Sequence, residues 1–429
     1  MSDDVQQRWT IVPEQLRVPL DIQWDKEGDE WHHYLYEELA NLVPVGGYLL
    51  RGQQATDTVP IEHYVLDPQS SVLRSRLILV PLQDGGIFVA VEGEGLLSDD
   101  RITPWVTAIK AAHSRIGHDH KKFPWTAAIG PAASREVHYS ALGEPAAVQE
   151  LLLHDSGVFM QESGPARPPN VNAWSVFQSW PIVVDGTNAG YNWPVASLAA
   201  TQDLYRLCAL LSVAWKHCWV LRDSPRPKEW GELTIPEHVP WQKDAFPRDN
   251  IEQKQLVTVP PWVAPAWGML DRDGKLVDAL AAYYEGLQLQ EDHPSFALIA
   301  FVASIEAIGA KLYNLQRCDT CKSAVGAAER FRRALRLVRT EDDAKALSKA
   351  YSSRSGTAHA GRLYGSENVF GAFMIGRVFS PDPASDFTWG QMFRLRNASR
   401  DLLELVFTQG LPKKQPQVDD KKGKLSVQR

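Results

Sequence analysis

The stretch 296–310, FALIAFVASIEAIGA, is the longest apolar run of this 429-residue sequence, and Glu306 is its one acidic residue. Asp292 can cap a helix here, and Pro294 can enter the first turn. One apolar stripe at helical spacing follows at Phe296, Ile299, Val302 and Ile305. The run predicts a helix over 294–315 that falls short of a membrane span.

Helical periodicity continues on both sides of this run, from residue 267 to residue 410. Further helices are predicted at 273–290, 324–339, 341–353 and 386–408. The segment 411–429 is polar, with six basic residues against two acids, which is typical of a disordered tail. We therefore predict an all-helical domain at 267–410.

The front of the chain contains predicted strands. Two β-rich runs within 74–93 flank Asp84-Gly85-Gly86, which is a strong hairpin signal, and 175–186 is a further strand candidate. Because predicted helices accompany these strands, residues 1–224 are interpreted as a mixed α/β domain.

Two helices are predicted in this mixed domain. The first covers 103–117, with Thr103 as its cap, and the second covers 197–223, opened by Ser197. The second is apolar on more than one face, which is typical of a helix packed between layers.

Eight prolines punctuate 225–266, so this segment is predicted to lack regular structure and to connect two domains. The predicted fold class is therefore α+β. A mixed α/β N-terminal domain at 1–224 is followed by the connector, the helical domain at 267–410 and the tail at 411–429.

Charge is distributed unevenly along the chain. The net charge is −7, but residues 1–265 carry −12, whereas 266–410 carry +1 and 411–429 carry +4. An acidic front half repels phosphate, so any nucleic-acid contact is expected in the C-terminal part.

The four cysteines are too few for a disulfide scaffold, and no basic-then-apolar leader precedes the first residues. We therefore expect a cytoplasmic protein. Cys318 and Cys321 form a lone Cys-x2-Cys without a second pair at zinc-finger spacing, which leaves a site shared across a dimer or a redox switch open. The histidines of WHHY (31–34) and HDH (118–120) could supply ligands, but nothing in the sequence fixes their proximity. We predict no metal and no cofactor.

The stretch 350–363, AYSSRSGTAHAGRL, places Arg354 and His359 on either side of four small residues. Histidine can act as acid or base near neutral pH, and arginine presents a charged fork that matches phosphate oxygens. Spacing alone does not select this pair, because RIGHDH (115–120) has the same separation. On one continuous helix the two side chains would diverge by about 140°, so convergence needs a break, for which Ser355-Gly356 is suited.

Context separates the two stretches. Tyr351 stands three residues before Arg354 and Ser355 directly after it, with the long apolar helix upstream and an amphipathic helix downstream. This arrangement resembles the HEPN superfamily, and within it the Apea-like branch, whose members carry Tyr-x-x-Arg-Ser followed by a His near a Gly. The resemblance covers 270–408, roughly a third of the chain.

The resemblance implies an up-and-down bundle of four to five helices that pairs two-fold and brings two Arg-x4-His motifs into one cleft. Many members are metal-independent endoribonucleases, and others are inactive dimerisation or nucleotide-sensing modules. Ser355 stands where the most active branches often have Asn, Asp or His, and Ala360 stands where glycine is frequent. Both departures leave catalysis open.

Three residues are predicted to support Arg354 and His359. Glu306 either pairs with Arg354 or forms a purely structural ion pair, because an unpaired carboxylate in an apolar stripe is costly. Tyr351 either packs in the core or touches substrate. Ser355 belongs to the break that lets the pair converge.

Five arginines lie within ERFRRALRLVR (329–339). On one helix Arg332, Arg336 and Arg339 line the same side, which would suit an RNA backbone. A solvated helix face explains the same pattern, and both interpretations stay open.

The function predicted from these features is a metal-independent endoribonuclease effector of toxin or antiphage type, acting on RNA as a homodimer. The alternative is a non-catalytic dimerisation, nucleotide-sensing or RNA-sensing module attached to a ligand-binding or enzymatic N-terminal domain. No membrane partner is expected, whereas a regulatory ligand or partner could bind the N-terminal domain.

Overall fold

The fold combines helices and sheets, so its content is α+β as predicted. The structure is a computed structural model. It describes the following residues: 17–42, 48–51, 61–66, 73–93, 99–132, 140–157, 160–165, 174–179, 181–231, 255–290, 293–312, 316–317, 324–351 and 383–411. Two compact units result, one from Met1–Lys122 with Ala189–Ala196, the other from Phe123–Asn188 with Ser197–Arg429.

The first unit contains a five-stranded antiparallel sheet of order β1-β5-β4-β3-β2. Its strands are β1 (Arg17–Val18), β2 (Tyr48–Arg51), β3 (Ile61–Leu66), β4 (Leu73–Pro81) and β5 (Ile87–Gly93). Two helices accompany the sheet, α1 (Trp24–Leu42) and α2 (Asp99–Arg115).

The hairpin predicted within 74–93 is confirmed, because β4 pairs with β5 in antiparallel register. Its turn suits the sequence: Gly85 has a φ of +81°, and the Asp84 carboxylate accepts a hydrogen bond from the Gly86 amide at 3.2 Å. A side chain at Gly85 would also meet the backbone of Asp21 and Ile22, so glycine is required there.

The core of the first unit forms where α1 and α2 meet β4 and β5. Trp31, Leu35 and Leu39 recur at helical spacing on α1 and are fully buried. They share one cluster with Ile109 of α2 and Leu79 of β4. The packed stripe therefore fixes which face of α1 points inward.

Helix α2 begins earlier than predicted. It starts at Asp99 rather than at Thr103, so Thr103 is not its cap. The Thr103 carbonyl instead accepts a hydrogen bond from the Thr107 hydroxyl inside the helix.

The second unit is built on a five-stranded sheet of order β13-β6-β12-β9-β8. These strands are β6 (Lys121–Pro131), β8 (Ala146–Val148), β9 (Leu151–Asp155), β12 (Ile182–Gly190) and β13 (Trp219–Pro227). Strand β7 (Ser140–Leu142) pairs in parallel with β14 (Gln255–Val257), and β10 (Met160–Pro165) pairs with β11 (Trp174–Ser179). The strand predicted over 175–186 is thus two strands, β11 and β12.

The long helix of the second unit, α3, runs over Trp193–Trp215 and not over 197–223. Its start lies before Ser197 because the Asn192 side chain accepts the Val195 amide hydrogen at 3.0 Å, which is the bond of an N-cap. Residues predicted as its last turns form β13, which pairs with β6. Their apolar character fits a buried strand as well as a helix, and pairing decided between the two.

The C-terminal part of the second unit is mostly helical in the residues described. Its helices are α4 (Val263–Arg272), α5 (Gly274–Leu289), α6 (Pro294–Leu312), α7 (Ala327–Leu335), α8 (Glu341–Leu347) and α9 (Pro383–Gln409). The predictions for α5, α6 and α9 are confirmed to within a few residues. The helix predicted over 324–339 is wrong at both ends, because β15 (Gln316–Arg317) pairs with β16 (Ala324–Val325) before α7, and α7 ends at Leu335.

The proline-rich segment 225–266 contains regular structure, contrary to prediction. Strand β13 extends to Pro227, a 3-10 turn covers Lys228–Trp230, and both β14 and the start of α4 fall within the segment. Pro225, Pro227 and Pro265 lie within these elements, and 232–254 lies outside the described residues.

Side-chain hydrogen bonds join the helices of the second unit to other parts of it. The Tyr284 hydroxyl of α5 donates to the Trp219 carbonyl of β13 at 2.8 Å, and the Trp215 indole donates to the Thr258 carbonyl at 3.0 Å. The predicted domain limits at 224 and 267 remain a prediction, but the sheet and these helices belong to one compact unit.

Helix α6 is long and apolar enough to cross a membrane by length and composition, although the sequence suggested otherwise. More than half of its most apolar window, 56%, is buried inside the fold. A buried core helix passes the same test, so these properties alone do not argue for a membrane span.

Candidate functional site

Helix α6 packs closely against its neighbours. A side chain at Gly286 of α5 would come within 2.6 Å of the Phe301 ring, and one at Gly309 would come within 2.9 Å of the Arg330 carbonyl oxygen. On the α9 side, the buried Ser399 hydroxyl donates to the Ser304 hydroxyl at 2.7 Å. These contacts hold α5, α7 and α9 around α6.

Glu306 lies on α6, as predicted, and is half-buried between the fully buried Ile305 and Ile308. Its predicted partner Arg354 is outside the described residues, so the pairing remains a prediction. The position is consistent with either of the two roles considered for this carboxylate.

Tyr351 is half-buried, and its ring centroid lies 5.6 Å from that of Phe331, a fully buried residue of α7. Its amide donates to the Ser348 carbonyl at 3.2 Å. The side chain thus takes part in packing, which was the more structural of its two interpretations.

Four arginines of 329–339 pair with carboxylates: Arg332, Arg333, Arg336 and Arg339. Glu329 accepts Arg332 at 2.6 Å, Arg333 at 2.9 Å and Arg336 at 3.4 Å. Three guanidinium groups therefore converge on one acid, and RNA phosphate would have to compete with that acid for them.

Arg336 and Arg339 lie beyond the last residue of α7, unlike Arg332. Since α7 ends at Leu335, Arg336 is its C-cap and Arg339 lies in the following turn. Arg336 binds both carboxylate oxygens of Glu341, at 2.5 and 2.6 Å, which lowers the pKa of Glu341. Arg339 pairs with Asp401 of α9 at 2.8 Å. The helix predicted through Arg339 therefore ends earlier, and the RNA-binding role of these arginines stays a prediction.

The central motif lies outside the described residues. This applies to Arg354, Ser355 and His359, and likewise to Cys318, Cys321 and the predicted cap Asp292. Within the described part of the chain, no group of three or more His, Cys, Asp or Glu side chains could hold a metal ion.

The competing Arg-x4-His stretch, RIGHDH, has a structural explanation. Arg115 pairs with Glu37 at 2.8 Å, Glu38 at 2.9 Å and Asp119 at 2.6 Å, and it lies 4.3 Å above the centre of the Tyr34 ring. Such an arginine ties α1 to the end of α2 and is not available to a phosphate.

The structure brings the two predicted histidine clusters to one place. His33 and His120 lie on Tyr191, with ring centroids 5.2 and 6.3 Å from it. His120 contacts Glu30 at 3.0 Å, and His33 contacts Glu37 at 3.5 Å. Sequence could not reveal this proximity, because Tyr191 lies 71 residues after His120 and 158 residues after His33.

Comparison with known proteins does not place the chain in a family. No family model, no curated protein and no solved structure matches it.

Proposed function

We propose that the chain is a HEPN-like, metal-independent endoribonuclease that acts as a homodimer through Arg354 and His359. The observation that carries the proposal is the position of Tyr351, the first residue of the Tyr-x-x-Arg-Ser motif. Its ring packs on Phe331, so the motif departs from a helical segment anchored in the helices around α6. Described helices thus precede and follow the motif along the chain, and this supports the proposal.

In the proposed reaction His359 of one subunit removes the proton of a ribose 2′-hydroxyl. The 2′-oxygen attacks the adjacent phosphorus, and the bond from phosphorus to the 5′-oxygen breaks. The second His359 of the dimer protonates the leaving 5′-oxygen, which gives a 2′,3′-cyclic phosphate and a 5′-hydroxyl end. Arg354 binds the phosphate oxygens and stabilises the charge that develops on them.

The proposal assigns a separate role to each of the two predicted domains. The acidic mixed α/β region at 1–224 would bind a regulatory ligand or partner, and the up-and-down bundle at 267–410 would carry the ribonuclease site. RNA is the substrate, and the cytoplasm is the proposed compartment. Toxin or antiphage defence is the proposed biological role, by analogy with the family that the motif resembles.

A second candidate function is favoured by the arginines. Glu329, Glu341 and Asp401 already bind Arg332, Arg336 and Arg339, so this surface does not offer RNA a field of free cations. A helical module that dimerises or senses a nucleotide without cleaving RNA is consistent with such a neutralised surface.

The decisive experiment is RNA cleavage by the purified full-length protein in the presence of EDTA. We expect cleavage that leaves a 2′,3′-cyclic phosphate, and we expect His359→Ala to abolish it without loss of the fold. Arg354→Lys should fail as well, because a point charge does not reproduce bidentate phosphate contact.

His120→Ala is the matched control, because it removes the histidine of the other Arg-x4-His stretch and should cleave normally. Equal cleavage by wild type and His359→Ala would show that the site is wrong. If the wild type leaves every tested RNA intact, the non-catalytic module is the better interpretation.

Dimerisation is tested separately by light scattering on the full-length chain. A mass of two chains is expected, because the proposed cleft takes one motif from each subunit. A single-chain mass at high micromolar concentration would contradict the shared cleft.

A further inference from the structure

The main sheet of the second unit has one buried face and one more open face. Apolar side chains of β12 and β9 cover the first: Ile182, Val184 and Leu153 are fully buried. Directly opposed residues share a face, and Leu152 pairs with Asp185 in the register. Leu152 is 47% exposed, so the face that carries Asp185 is open to solvent at this point.

Polar side chains from three neighbouring parts of this sheet converge on Asp185. Lys228, just after β13, lies 2.9 Å from a carboxylate oxygen, and His154 of β9 lies 3.4 Å from the same oxygen. The Thr126 hydroxyl of β6 donates to the carboxylate as well. We call these four residues the Asp185 cluster.

The basic side chains of the Asp185 cluster are accessible to solvent, although Asp185 itself is largely buried. The side chains of Lys228 and His154 are 49% and 37% exposed, whereas Asp185 is 19% exposed. Burial alone would raise the pKa of Asp185, but the bonds from Lys228 and Thr126 outweigh it and lower that pKa. Asp185 is therefore ionised at neutral pH and holds the exposed side chains of Lys228 and His154 in place.

A further cation borders the cluster. Arg226 of β13 is opposite Thr126 in the register, so its side chain extends from the same face. In the described part of the chain the Nε and Nη2 atoms of Arg226 are buried and donate no hydrogen bond. These two atoms form one edge of the guanidinium group, the edge that binds both oxygens of an oxyanion.

We propose that this face of the sheet is a binding site for a small oxyanion, a phosphoryl or carboxylate group, held by Lys228, His154 and Arg226. Asp185 acts as the positioning residue. The proposal uses residues other than Arg354 and His359 and does not depend on the proposed ribonuclease activity. It would give a location and a chemistry to a regulatory ligand.

The charges favour an anion over a cation. Asp185 is the acid of the cluster and already accepts bonds from three directions, so it has little to offer a cationic ligand. Lys228 and Arg226 exceed it by one positive charge even with His154 neutral. Since the Arg226 edge is covered, an oxygen reaches it only when the covering groups move, and binding then supplies acceptors to a buried donor pair that lacks them.

The test measures the melting temperature of the full-length protein with inorganic phosphate and, separately, with acetate. Each is compared with sodium chloride at the same ionic strength, because binding to the folded state raises the melting temperature. We expect phosphate, acetate or both to stabilise beyond chloride. Lys228→Met should weaken the apparent affinity about tenfold, as expected for loss of one charge-assisted contact.

Lys349→Met is the matched control, because Lys349 is an exposed lysine of the helical part and should bind the anion as the wild type does. Arg226→Lys keeps the charge but removes the paired donors, so it should also bind more weakly. The proposal is overturned if neither anion stabilises beyond chloride, or if Lys228→Met responds as strongly as wild type. Because Lys228 is half exposed, that variant is expected to fold even if Arg226→Lys does not.

Discussion

Arg115 and Arg336 show that the neighbouring carboxylates of an arginine determine whether it can bind RNA. Each lies within an Arg-rich or Arg-x4-His stretch that could have served RNA, and each is instead bound to two or more carboxylates. Arg115 is the more enclosed of the two, with 22% of its side chain exposed. Its bonds to three acids raise its pKa, despite the opposing effect of burial.

Arg115→Leu is expected to destabilise the protein by about 2 kcal/mol, because partly buried carboxylates lose their shared cation. Urea unfolding would measure the change, and RNA cleavage per folded molecule should be unaffected. Arg17→Leu is the comparison, since the Arg17–Asp84 pair is about half exposed and should contribute about 0–1 kcal/mol. Equal effects of the two substitutions would contradict the structural role of Arg115.

The residues that could be predicted from sequence are those whose setting is local. Glu306 in its apolar helix and Tyr351 ahead of the motif lie where the periodicity indicated. The Asp185 cluster could not be predicted, because Thr126, His154 and Lys228 meet only when four parts of the sheet are aligned. A carboxylate in the apolar run PIVVDG was the one signal available.

At the scale of elements, helices with a clear cap and a single stripe were predictable. Asp273, where the helix over 273–290 was predicted to begin, is the N-cap of α5, and its side chain accepts the Lys275 amide hydrogen. By contrast, the sequence predicts that Ser197 opens α3, whereas in the structure the Asn192 side chain caps this helix. The run WVLRD after α3 is part of strand β13 because it pairs with the edge of β6. Local propensity could not predict this, because the pairing depends on a strand far away in the sequence.

The α6–α9 contact gives a prediction at this scale. Ser304→Ala should cost about 1–3 kcal/mol, because it leaves the fully buried Ser399 hydroxyl without its acceptor. The double variant Ser304→Ala/Ser399→Ala should cost less than the sum of the two single variants, since both polar groups are removed together. Chemical denaturation of all four proteins provides the cycle. Strict additivity would mean that the two hydroxyl groups are not coupled.

The second unit as a whole joins a sheet to the helices that follow it. Trp267 of α4 lies under Arg206 of α3, 5.0 Å from the ring centre, and Tyr284 of α5 bonds to β13. The proline content of 225–266 indicated a boundary, yet β14 returns within that segment to pair with β7. Proline content describes how the backbone is restricted locally, and it cannot predict the pairing of two strands that are far apart in the sequence.

We therefore expect the isolated fragment 267–410 to melt about 10 °C below the fragment 123–429, because it exposes Trp267 and Tyr284, whose burial contributes about 2–3 kcal/mol. Circular dichroism on both fragments would measure the difference. The longer fragment is the control, since it retains the whole second unit. Equal melting temperatures would support an independent helical domain that begins at 267.

The seating of Tyr191 against His33 and Tyr34 has a consequence for synthesis of the chain. The first unit takes Ala189–Ala196 as part of its body, although these residues are translated long after Lys122. Domains generally fold from the N-terminus as they emerge from the ribosome, but this one stays incomplete until most of the neighbouring sheet has also been made. Before residues 189–196 are made, the first unit exposes the aromatic surface that Tyr191 later covers. A chaperone would bind the first unit during this time.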